Sequence, residues 1–430
     1  MNATDHSSAD TSAPLRVDAV IAGGGVAGLW LLNLLTARGY NTLLLEADRL
    51  GACQTLASQG MIHGGLKYAL AGRLNRASEA ISRMPDRWSQ CLAGRGPVDL
   101  QGLAPLSDRY YMFAAASTLG QLTGFFASRA LRGRIRKLAP AAYPPPFAEP
   151  GFDGVVYALE DFVLDTPALL HTLLAPVRER AYRWRLAPEH IETVDTPPAR
   201  GTAGRPAEGS AEGSAESPAG GSAEGAAVDA GVTLKLGACT VAARRLILAA
   251  GAGTQPLLDA LNIADPVMQL RPLNQVLVRH DYPHPVYAHC LTGIRRAEPR
   301  LTITSHPDGD GWLWYLGGQL ATDGAAMNDA QLRDHARAEL QACLPWLDWS
   351  RAELATLRVD RAEPAQQGGR RPDEAYAAAR GAALVTWPTK LSLTPDLGDK
   401  VLGLLPPPAH PTPVRLPLPP AEIGQPPWVR

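Results

Sequence analysis

The most regular pattern of apolar and polar positions lies near the start of the chain, at 17–46. An apolar run at 17–22 predicts a buried strand, glycines follow it, and the apolar stretch 29–35 predicts a core helix. A second apolar run at 42–45 predicts another strand and is followed by Glu46. This order of strand, glycine turn, helix and strand predicts a βαβ unit.

The glycine turn has the spacing of a dinucleotide-binding motif. Gly23 allows a tight turn, Gly25 lets the backbone approach a pyrophosphate, and Gly28 lets the helix pack closely against the strand. The helix N-terminus offers N–H groups and the positive end of a dipole to phosphates. Glu46 is placed to accept hydrogen bonds from a ribose diol. A bound adenine dinucleotide is therefore predicted, and its predicted contacts here also include Val26, Ala27 and Ala47.

The segment after Glu46 is dense in glycine and other small residues, so its backbone can approach a ligand closely. Ser58 and Gln59 can offer hydrogen bonds to the same extended cofactor. His63 lies between an apolar pair and two glycines. A histidine in that setting can contact a flavin ring, act as an acid or base, or hold a turn by hydrogen bonding. The pattern fits a structural and a catalytic histidine alike.

Two later stretches differ from the βαβ pattern, and the second of them, from Val267 onwards, indicates a second architecture. Residues 195–230 repeat Ala-Glu-Gly-Ser units with no apolar period, which predicts a disordered surface insertion. Residues 270–279, 301–304 and 312–318 alternate in the manner of antiparallel strands. Between them, an apolar strand ends in a small-residue turn at Gly251, where close approach to a ligand is possible.

Two stretches contain arginines that could face a substrate. The stretch 74–138 has a helical and basic pattern, which predicts a solvated helix face or, as a sharper alternative, a basic mouth for an anionic substrate. At 357–364, Arg361 can anchor a carboxylate or phosphate in bidentate fashion. A structural ion pair among Asp360, Arg361 and Glu363 explains that stretch equally well.

The glycine motif, the acidic strand end and the run from Ser58 to Tyr68 together resemble the D-amino-acid-oxidase-type superfamily of FAD-dependent oxidoreductases. The stretch Ile62-His63-Gly64-Gly65-Leu66-Lys67-Tyr68 is similar to a loop of FAD-dependent glycerol-3-phosphate dehydrogenases and, more loosely, of 2-hydroxyglutarate dehydrogenases. The resemblance implies non-covalently bound FAD, with this segment near the pyrophosphate and isoalloxazine. The contacts it implies here are Ser58, Gln59, Gly60, Ile62, His63 and Gly64.

The resemblance also implies that the turn at Gly251 passes close to the dinucleotide and that residues 382–396 meet the pyrimidine end of the flavin. Lys390, followed by Leu391, would place a positive charge there and stabilise the anionic reduced flavin. A surface lysine is the alternative. The turn Trp387-Pro388-Thr389-Lys390 departs from the glycine-rich turn usual in oxidases of the superfamily, which leaves the substrate open.

These features predict an α/β fold in two parts. One is a Rossmann-type FAD-binding domain with a glutathione-reductase-like βαβ unit, which the resemblance implies is assembled from the discontinuous segments 17–80, 151–262 and 381–405. The other is an α+β substrate or cap domain with an antiparallel sheet, formed by 81–150 and 263–380. Residues 1–16 are predicted to be a disordered tail, and 406–430 a proline-rich tail.

Charge and composition narrow the partners. The 430 residues have a formal net charge of −1, which gives no overall attraction to nucleic acid or to an anionic membrane. No apolar run is long enough to span a bilayer, although peripheral membrane contact stays open. The five cysteines are scattered without a C-x-x-C pair, which fits a reducing, cytoplasmic compartment and argues against a flavin disulfide reductase. The histidines at 280–306 lack the carboxylate or cysteine spacing of a metal site, so no metal is predicted.

The predicted protein is an FAD-dependent oxidoreductase, either an oxidase or a dehydrogenase. It would oxidise a small CH–NH or CH–OH substrate by hydride transfer to flavin N5, and oxygen or a quinone would accept the electrons. His63 and Arg361 are the predicted catalytic residues. The alternatives are a non-catalytic FAD- or nucleotide-binding protein on the same fold, or a flavin monooxygenase.

Overall fold

The computed structural model describes residues 13–65, 80–115, 135–194, 231–291, 298–366, 368 and 372–429. The strands of these residues form three sheets. Several predicted features lie outside the described residues, namely the end of the 62–68 loop, the insertion at 195–230 and most of the N-terminal tail.

The first sheet contains eight strands that come from separate parts of the chain. They are β1 (Leu15–Ala22), β2 (Thr42–Glu46), β9 (Ala181–Arg183), β10 (Ile191–Val194), β11 (Gly231–Leu236), β12 (Cys239–Leu248), β18 (Tyr376–Arg380) and β19 (Ala383–Trp387). At its centre β1 pairs in parallel with β2 and with β12, and β12 pairs in parallel with β19. These strands are almost fully apolar because both faces of the sheet are covered. The sheet confirms that the predicted nucleotide-binding fold is assembled from discontinuous segments.

The helices are short, and the first of them is apolar on all sides. They are α1 (Val26–Ala37), α2 (Met84–Leu92), α3 (Pro145–Ala148), α4 (Thr166–Leu174), α5 (Thr254–Ala260), α6 (Gln319–Gly324), α7 (Asp329–Cys343) and α8 (Thr394–Leu402). Because α1 lies between the first sheet and the helices α4 and α8, it has no solvent-facing stripe. Trp30 of α1 is fully buried and packs against the ring of Trp88, with centroids 4.9 Å apart. Among the described residues, no helix has the length and apolarity needed to cross a membrane.

The second sheet is mainly antiparallel and has the strand order β17-β13-β16-β15-β14-β5-β7-β6. Its strands are β5 (Tyr110–Ala115), β6 (Ile135–Lys137), β7 (Gly154–Leu159), β13 (Met268–Arg279), β14 (Ala288–Cys290), β15 (Leu301–Asp308), β16 (Gly311–Gly317) and β17 (Glu353–Pro364). Helix α7 packs on one face of this sheet through Leu332, Ala336 and Leu340. The opposite face is turned towards the first sheet. A small third sheet joins β3 (Met61–Ile62), β8 (Phe162–Leu164) and β4 (Pro105–Ser107).

Hydrogen bonding corrects several predicted boundaries. Strand β7 lies within the segment assigned to the FAD-binding domain, yet it pairs with β5 and β6 in the second sheet. Strand β18 lies within the segment assigned to the cap, yet it pairs with β19 in the first sheet. The predicted helical stretch 74–138 contains the strands β4, β5 and β6. For β7 the pairing partners are distant in sequence, so the local pattern carries no information about them. Strand β18 instead forms a hairpin with β19, and the predicted boundary at 380–381 divides that hairpin.

The proline-rich C-terminal segment is extended and packed against both parts of the molecule. Leu50 donates its N–H to Glu422 O at 2.8 Å, and Gly424 donates its N–H to Leu50 O at 3.0 Å. At the end of the segment, the Arg279 guanidinium donates to Trp428 O at 2.8 Å, and the Trp428 ring is buried. Residues 406–429 therefore link the first sheet to the second.

Candidate functional site

A cleft of about 2290 Å³ lies between the first and second sheets. Its walls include the glycine turn, Glu46, most of the segment 57–63, one face of β13 and the second half of β17. Pockets for small ligands usually measure about 300–1,000 Å³. This cleft is therefore large enough for an extended dinucleotide together with a small substrate.

The glycines of the turn have separate roles. Gly23 has a φ of +108°, and a Cβ atom on it would lie 2.5 Å from Ala250 Cα. A Cβ atom on Gly28 would overlap the carbonyl oxygen of Gly23. A Cβ atom on Gly25 would meet Thr55 Oγ1 at 3.2 Å. Apart from the residues adjacent to Gly25 in sequence, no other described atom would lie within 4 Å of that Cβ. The fold itself thus requires Gly23 and Gly28, whereas Gly25 leaves space in the cleft.

The N-terminus of α1 opens into the same space. Helix α1 begins at Val26, which donates its N–H to Thr55 Oγ1 at 3.0 Å. Because the Thr55 oxygen accepts that bond, its own hydrogen can be donated to a ligand. Thr55 lines the cleft and was missed from the sequence, since a threonine among small residues has no motif of its own. Amide groups, a hydroxyl and the positive end of a helix dipole form a site suited to a pyrophosphate.

Glu46 lies beside the glycine turn, at the end of β2. Its Oε2 accepts the Gly24 N–H at 2.6 Å, and its Oε1 accepts the Asp48 N–H at 3.0 Å. These two bonds fix the carboxylate at the mouth of the turn. A ribose diol next to the pyrophosphate site would lie within hydrogen-bonding reach of this carboxylate. The residues of this end of the cleft therefore fit the adenosine half of FAD.

Ser392 joins two distant segments at the other end of the cleft. The His63 N–H donates to Ser392 Oγ at 3.0 Å across a sequence separation of 329 residues. The same hydroxyl donates to Met61 O at 3.2 Å, and Trp88 Nε1 donates to Ser392 O at 2.9 Å. The predicted His63 loop and the predicted Lys390 segment are therefore held against each other.

The His63 ring has a defined orientation. Its Nδ1 accepts the Gly65 N–H at 3.2 Å, so the neutral ring carries its hydrogen on Nε2. The next residue, Gly64, donates its N–H to Asp161 Oδ1 at 2.9 Å. Asp161 is buried and lines the cleft, and no sequence motif indicated it. The His63 residue itself lines the cleft.

Lys390 is 7 % exposed, so the alternative of a surface lysine is wrong. Its Nζ donates to Pro372 O and to Asp373 O, both at 3.3 Å. It precedes a single turn of 3₁₀ helix, Leu391–Leu393, which leads into α8. Lys390 and the start of this helical turn stand in the wall of the cleft.

The arginines of the second sheet form the facing wall. Arg271 and Arg361 lie directly opposite each other on β13 and β17, and both line the cleft. Arg271 Nε is 2.7 Å from Glu363 Oε1, and Glu363 is buried. The predicted alternative of an ion pair among Asp360, Arg361 and Glu363 is therefore corrected, because the partner of Glu363 is on the neighbouring strand. Alternation along β17 also places the Asp360 side chain on the opposite face from Arg361 and Glu363.

Gln59 links the loop before β3 to the second sheet. Its Nε2 donates to Tyr315 O at 2.9 Å and to Thr302 O at 3.2 Å. A Cβ atom on Gly317 would overlap Gln59 Oε1, so the missing side chain of Gly317 makes room for this link. The Gln59 side chain lines the cleft, but its amide nitrogen is engaged by the second sheet.

Three predicted residues do not line the cleft. Gly28 packs against Gly23, Gly64 bonds to Asp161, and Ile62 is fully buried in the core. Alternation explains Ile62, because Met61 and His63 on either side of it face the cleft. The predicted residues that do line it are Gly23, Gly25, Val26, Ala27, Glu46, Ala47, Ser58, Gln59, Gly60, His63, Gly251, Arg361, Lys390 and Leu391.

Comparisons with known proteins agree with this site. The family model of FAD-dependent oxidoreductases named DAO matches residues 18–380. The chain is 42% identical over 421 residues to the probable FAD-dependent oxidoreductase PA4991 of Pseudomonas aeruginosa, covering 96% of this chain and 98% of the relative. The crystal structure of PA4991 superposes with a TM-score of 0.74 and 36% identity over 97% of this chain and 98% of that one.

More distant structures share the fold. L-α-glycerophosphate oxidase of Mycoplasma pneumoniae, with FAD bound, has a TM-score of 0.61 at 13% identity, covering 94% of this chain and 99% of that one. Glycine oxidase of Geobacillus kaustophilus has a TM-score of 0.58 at 15% identity, covering 92% of this chain and 96% of that one. The match to the family model and to PA4991 confirms the resemblance drawn from the sequence and favours an enzyme over a non-catalytic protein. The chain belongs to the DAO family of FAD-dependent oxidoreductases, and its cofactor is FAD.

Proposed function

We propose that this enzyme oxidises a small CH–NH or CH–OH substrate, with oxygen or a quinone as the final electron acceptor. Bound FAD supplies the redox chemistry by accepting a hydride at flavin N5. The observation that carries the proposal is the continuity of the cleft. One cavity joins the glycine turn, the His63 loop, the Lys390 segment and the arginine-bearing wall of the second sheet. A substrate in that cavity would lie between the cofactor site and the arginines.

His63 would hold the reacting part of the substrate. Its Nδ1 is engaged by the Gly65 N–H, so Nε2–H is the group that can donate to a substrate oxygen or nitrogen. The backbone of His63 is fixed by Ser392, which limits movement of the loop. Fixing the donor in advance lowers the entropic cost of orienting the reacting C–H bond.

Arg361 would hold an anionic group of the substrate. It lies in the cleft wall on β17, and its Nε is 3.5 Å from Arg271 O on the paired strand. The neighbouring Arg271 is bonded to the buried Glu363 at 2.7 Å. A guanidinium can bind a carboxylate or phosphate through two parallel hydrogen bonds. Arg361 is accordingly the proposed substrate anchor, and Lys390 the proposed charge that favours reduced flavin.

The predicted cytoplasmic location is part of the proposal. All five cysteines lie within the described residues, and none of them forms a disulfide bond there. This agrees with a reducing compartment.

Purified protein tests the proposal. The expected preparation is yellow, and its flavin is bleached without oxygen by at least one compound from a panel of glycine, L-proline, glycerol 3-phosphate and a 2-hydroxy acid. Hydrogen peroxide released in air would identify an oxidase, and its absence together with quinone reduction a dehydrogenase. A flavin that no amine or hydroxy compound reduces would contradict the proposed substrate class.

A variant tests the role of His63. His63→Ala is expected to bind FAD normally and to slow flavin reduction about 100-fold, since a positioned proton donor contributes about 10²–10⁴ to the rate. Unchanged reduction kinetics at normal FAD content would assign His63 a structural role.

A further inference from the structure

The second sheet contributes to the cleft a histidine that the proposed function does not use. His289 lies on β14 and lines the cleft, although the residue is only 8 % exposed. Contacts through Tyr110 and Asp161 connect it to the His63 loop. Asp161, which accepts the Gly64 N–H, also acts electrostatically on Tyr110, and Tyr110 packs on the His289 ring with centroids 4.6 Å apart.

The register of the sheet explains why His289 faces the cleft. His289 is paired with Thr302 of β15, and Thr302 is paired with Gly317 of β16. Residues in one such row project from the same face of a sheet. All three line the cleft. Gly317 has no side chain. The polar side chains that β14, β15 and β16 contribute to this row are therefore those of His289 and Thr302.

The two nitrogens of His289 have different surroundings. Nδ1 is 3.0 Å from Thr302 Oγ1, so Nε2 is the nitrogen that a ligand can reach. Two other buried histidines provide a contrast, namely His306 on β15 and His280, which directly follows β13. His280 Nε2 and His306 Nδ1 are sealed from solvent and have no partner among the described residues, whereas Nε2 of His289 is not sealed in this way. An opening towards the cleft accounts for the difference.

Burial determines the charge of the ring. Removal from water lowers the pKa of His289 to about 3, so the imidazole is neutral near pH 7. The Tyr110 hydroxyl donates to Ile303 O at 2.7 Å, so Tyr110 supports the ring without occupying Nε2. A neutral imidazole can make one uncharged hydrogen bond from Nε2 as donor or acceptor, depending on its tautomer.

We propose that His289 is a substrate-binding residue whose Nε2 forms a hydrogen bond with an uncharged polar group of the substrate, such as a hydroxyl, carbonyl or amide. Thr302 is a positioning residue that holds the ring. This inference rests on the proposed function and adds to it. The substrate would carry an anionic group for Arg361 and an uncharged polar group for His289.

Three variants of the FAD-loaded full chain test the inference. His289→Phe keeps a ring against Tyr110 but removes both nitrogens, and Thr302→Val removes the positioning hydroxyl at nearly constant shape. His306→Phe is the matched control, because His306 is also buried on this sheet but packs on Trp428 and does not line the cleft. The probe is the panel compound that bleaches the wild-type flavin fastest.

The readout is the probe concentration that gives half-maximal rate of anaerobic flavin reduction. His289→Phe is expected to raise it about tenfold, the effect of losing one hydrogen bond in a desolvated site. Thr302→Val is expected to raise it about threefold, and His306→Phe to leave it within twofold, all at normal FAD content. Equal values for His289→Phe and His306→Phe would overturn the inference.

A second measurement separates this inference from the proposed function. If no panel compound bleaches the wild-type flavin, the proposed substrate class has failed, and diethylpyrocarbonate then serves as the probe of His289. Peptide mass mapping of the FAD-loaded protein is expected to show modification of His289 and none of His306. An unmodified His289 would show that its Nε2 is closed to the cleft and would overturn the inference independently of any substrate.

Discussion

The two ends of the cleft are built in different ways. At the nucleotide end, Gly23, Gly25 and Glu46 belong to one short βαβ unit, and they act through backbone geometry and one carboxylate. At the proposed substrate end, His63, His289 and Arg361 come from three distant segments and would act through their side chains, with His289 and Arg361 on strands and His63 in the loop after β3. The first end is a local structure, whereas the second exists only when both sheets have formed.

This difference separates cofactor binding from substrate choice. Backbone contacts around Gly23 and Gly28 leave no room for other residues, so changes there affect the fold or the cofactor. Side chains on the exposed face of a sheet can change without altering the strand pairing that supports them. Proteins that share the fold at 13% and 15% identity are a glycerophosphate oxidase and a glycine oxidase.

The largest expected effect comes from Gly28→Val at the nucleotide end. A Cβ atom there would overlap the carbonyl oxygen of Gly23, and backbone cannot move aside as a flexible side chain can. We expect a loss of more than about 4 kcal/mol of folding free energy, which is exceptional for a single substitution. Circular dichroism and the yield of soluble protein would measure it. A folded, FAD-containing Gly28→Val protein would contradict this account of the turn.

Gly25→Val should separate the cofactor from the fold. Its Cβ would meet Thr55 Oγ1 at 3.2 Å, a contact that a small shift can relieve, while the added methyl groups enter the pyrophosphate space. We expect a folded protein with a thermal midpoint close to that of the wild-type apoprotein and FAD binding weakened at least about 100-fold, or about 2.7 kcal/mol. Absorbance at flavin wavelengths and titration of the apoprotein measure this. Stoichiometric FAD in the purified variant would show that the pyrophosphate binds elsewhere.

The contrast between the two ends also explains what the sequence could reveal. The unit containing Gly23, Gly28 and Glu46 is contiguous, so its order of apolar runs and glycines displayed both its structure and its ligand. The strand β7 was assigned to the wrong sheet because its local pattern shows a strand but not its partner. Asp161 and Thr55 were missed for a related reason, since each acts through a contact with a residue far away in sequence.

Side-chain direction was partly accessible from the sequence. The alternation of β13 places Arg271, Leu273 and Gln275 on one face, and all three line the cleft. The same rule applied to residues 61–63 would have excluded Ile62. His289 was beyond reach, because its direction depends on pairing with Thr302, and a three-residue strand is too short for periodicity to define its faces.

A third prediction concerns the stability of the second sheet in acid, which depends on the buried His306. Burial lowers the pKa of His306 to about 4, against an ordinary value of 6.5. The folded state favours the neutral ring, so this contribution to stability is complete above pH 6.5 and is lost as the pH falls towards 4. At pH 5 the loss is about 2 kcal/mol for a fully buried histidine with this shift.

The variant His306→Phe provides the test. Compared with the wild type, its free energy of unfolding should fall by about 2 kcal/mol less between pH 7 and pH 5. Urea unfolding at the two pH values measures the difference. His280 and His289 have pKa values lowered in the same direction, so the variant should keep part of the acid sensitivity. An unchanged pH dependence would mean that His306 is not buried as a neutral ring.

The smallest expected effect lies at Ser392, which joins the His63 loop to the segment that follows Lys390. Ser392→Ala removes the acceptor of the His63 N–H and the donor to Met61 O. Met61 and His63 line the cleft, so water can replace these bonds and the cost should be about 1 kcal/mol of stability.

Thr394→Val is the matched control. It removes a hydroxyl that donates to Leu391 O at 2.8 Å in the same segment but does not touch the His63 loop. Both variants should lose similar stability in urea, yet flavin reduction should slow in Ser392→Ala alone, because it alone frees the loop that positions the His63 ring. Equal reduction rates in the two variants would show that the loop keeps its position without Ser392.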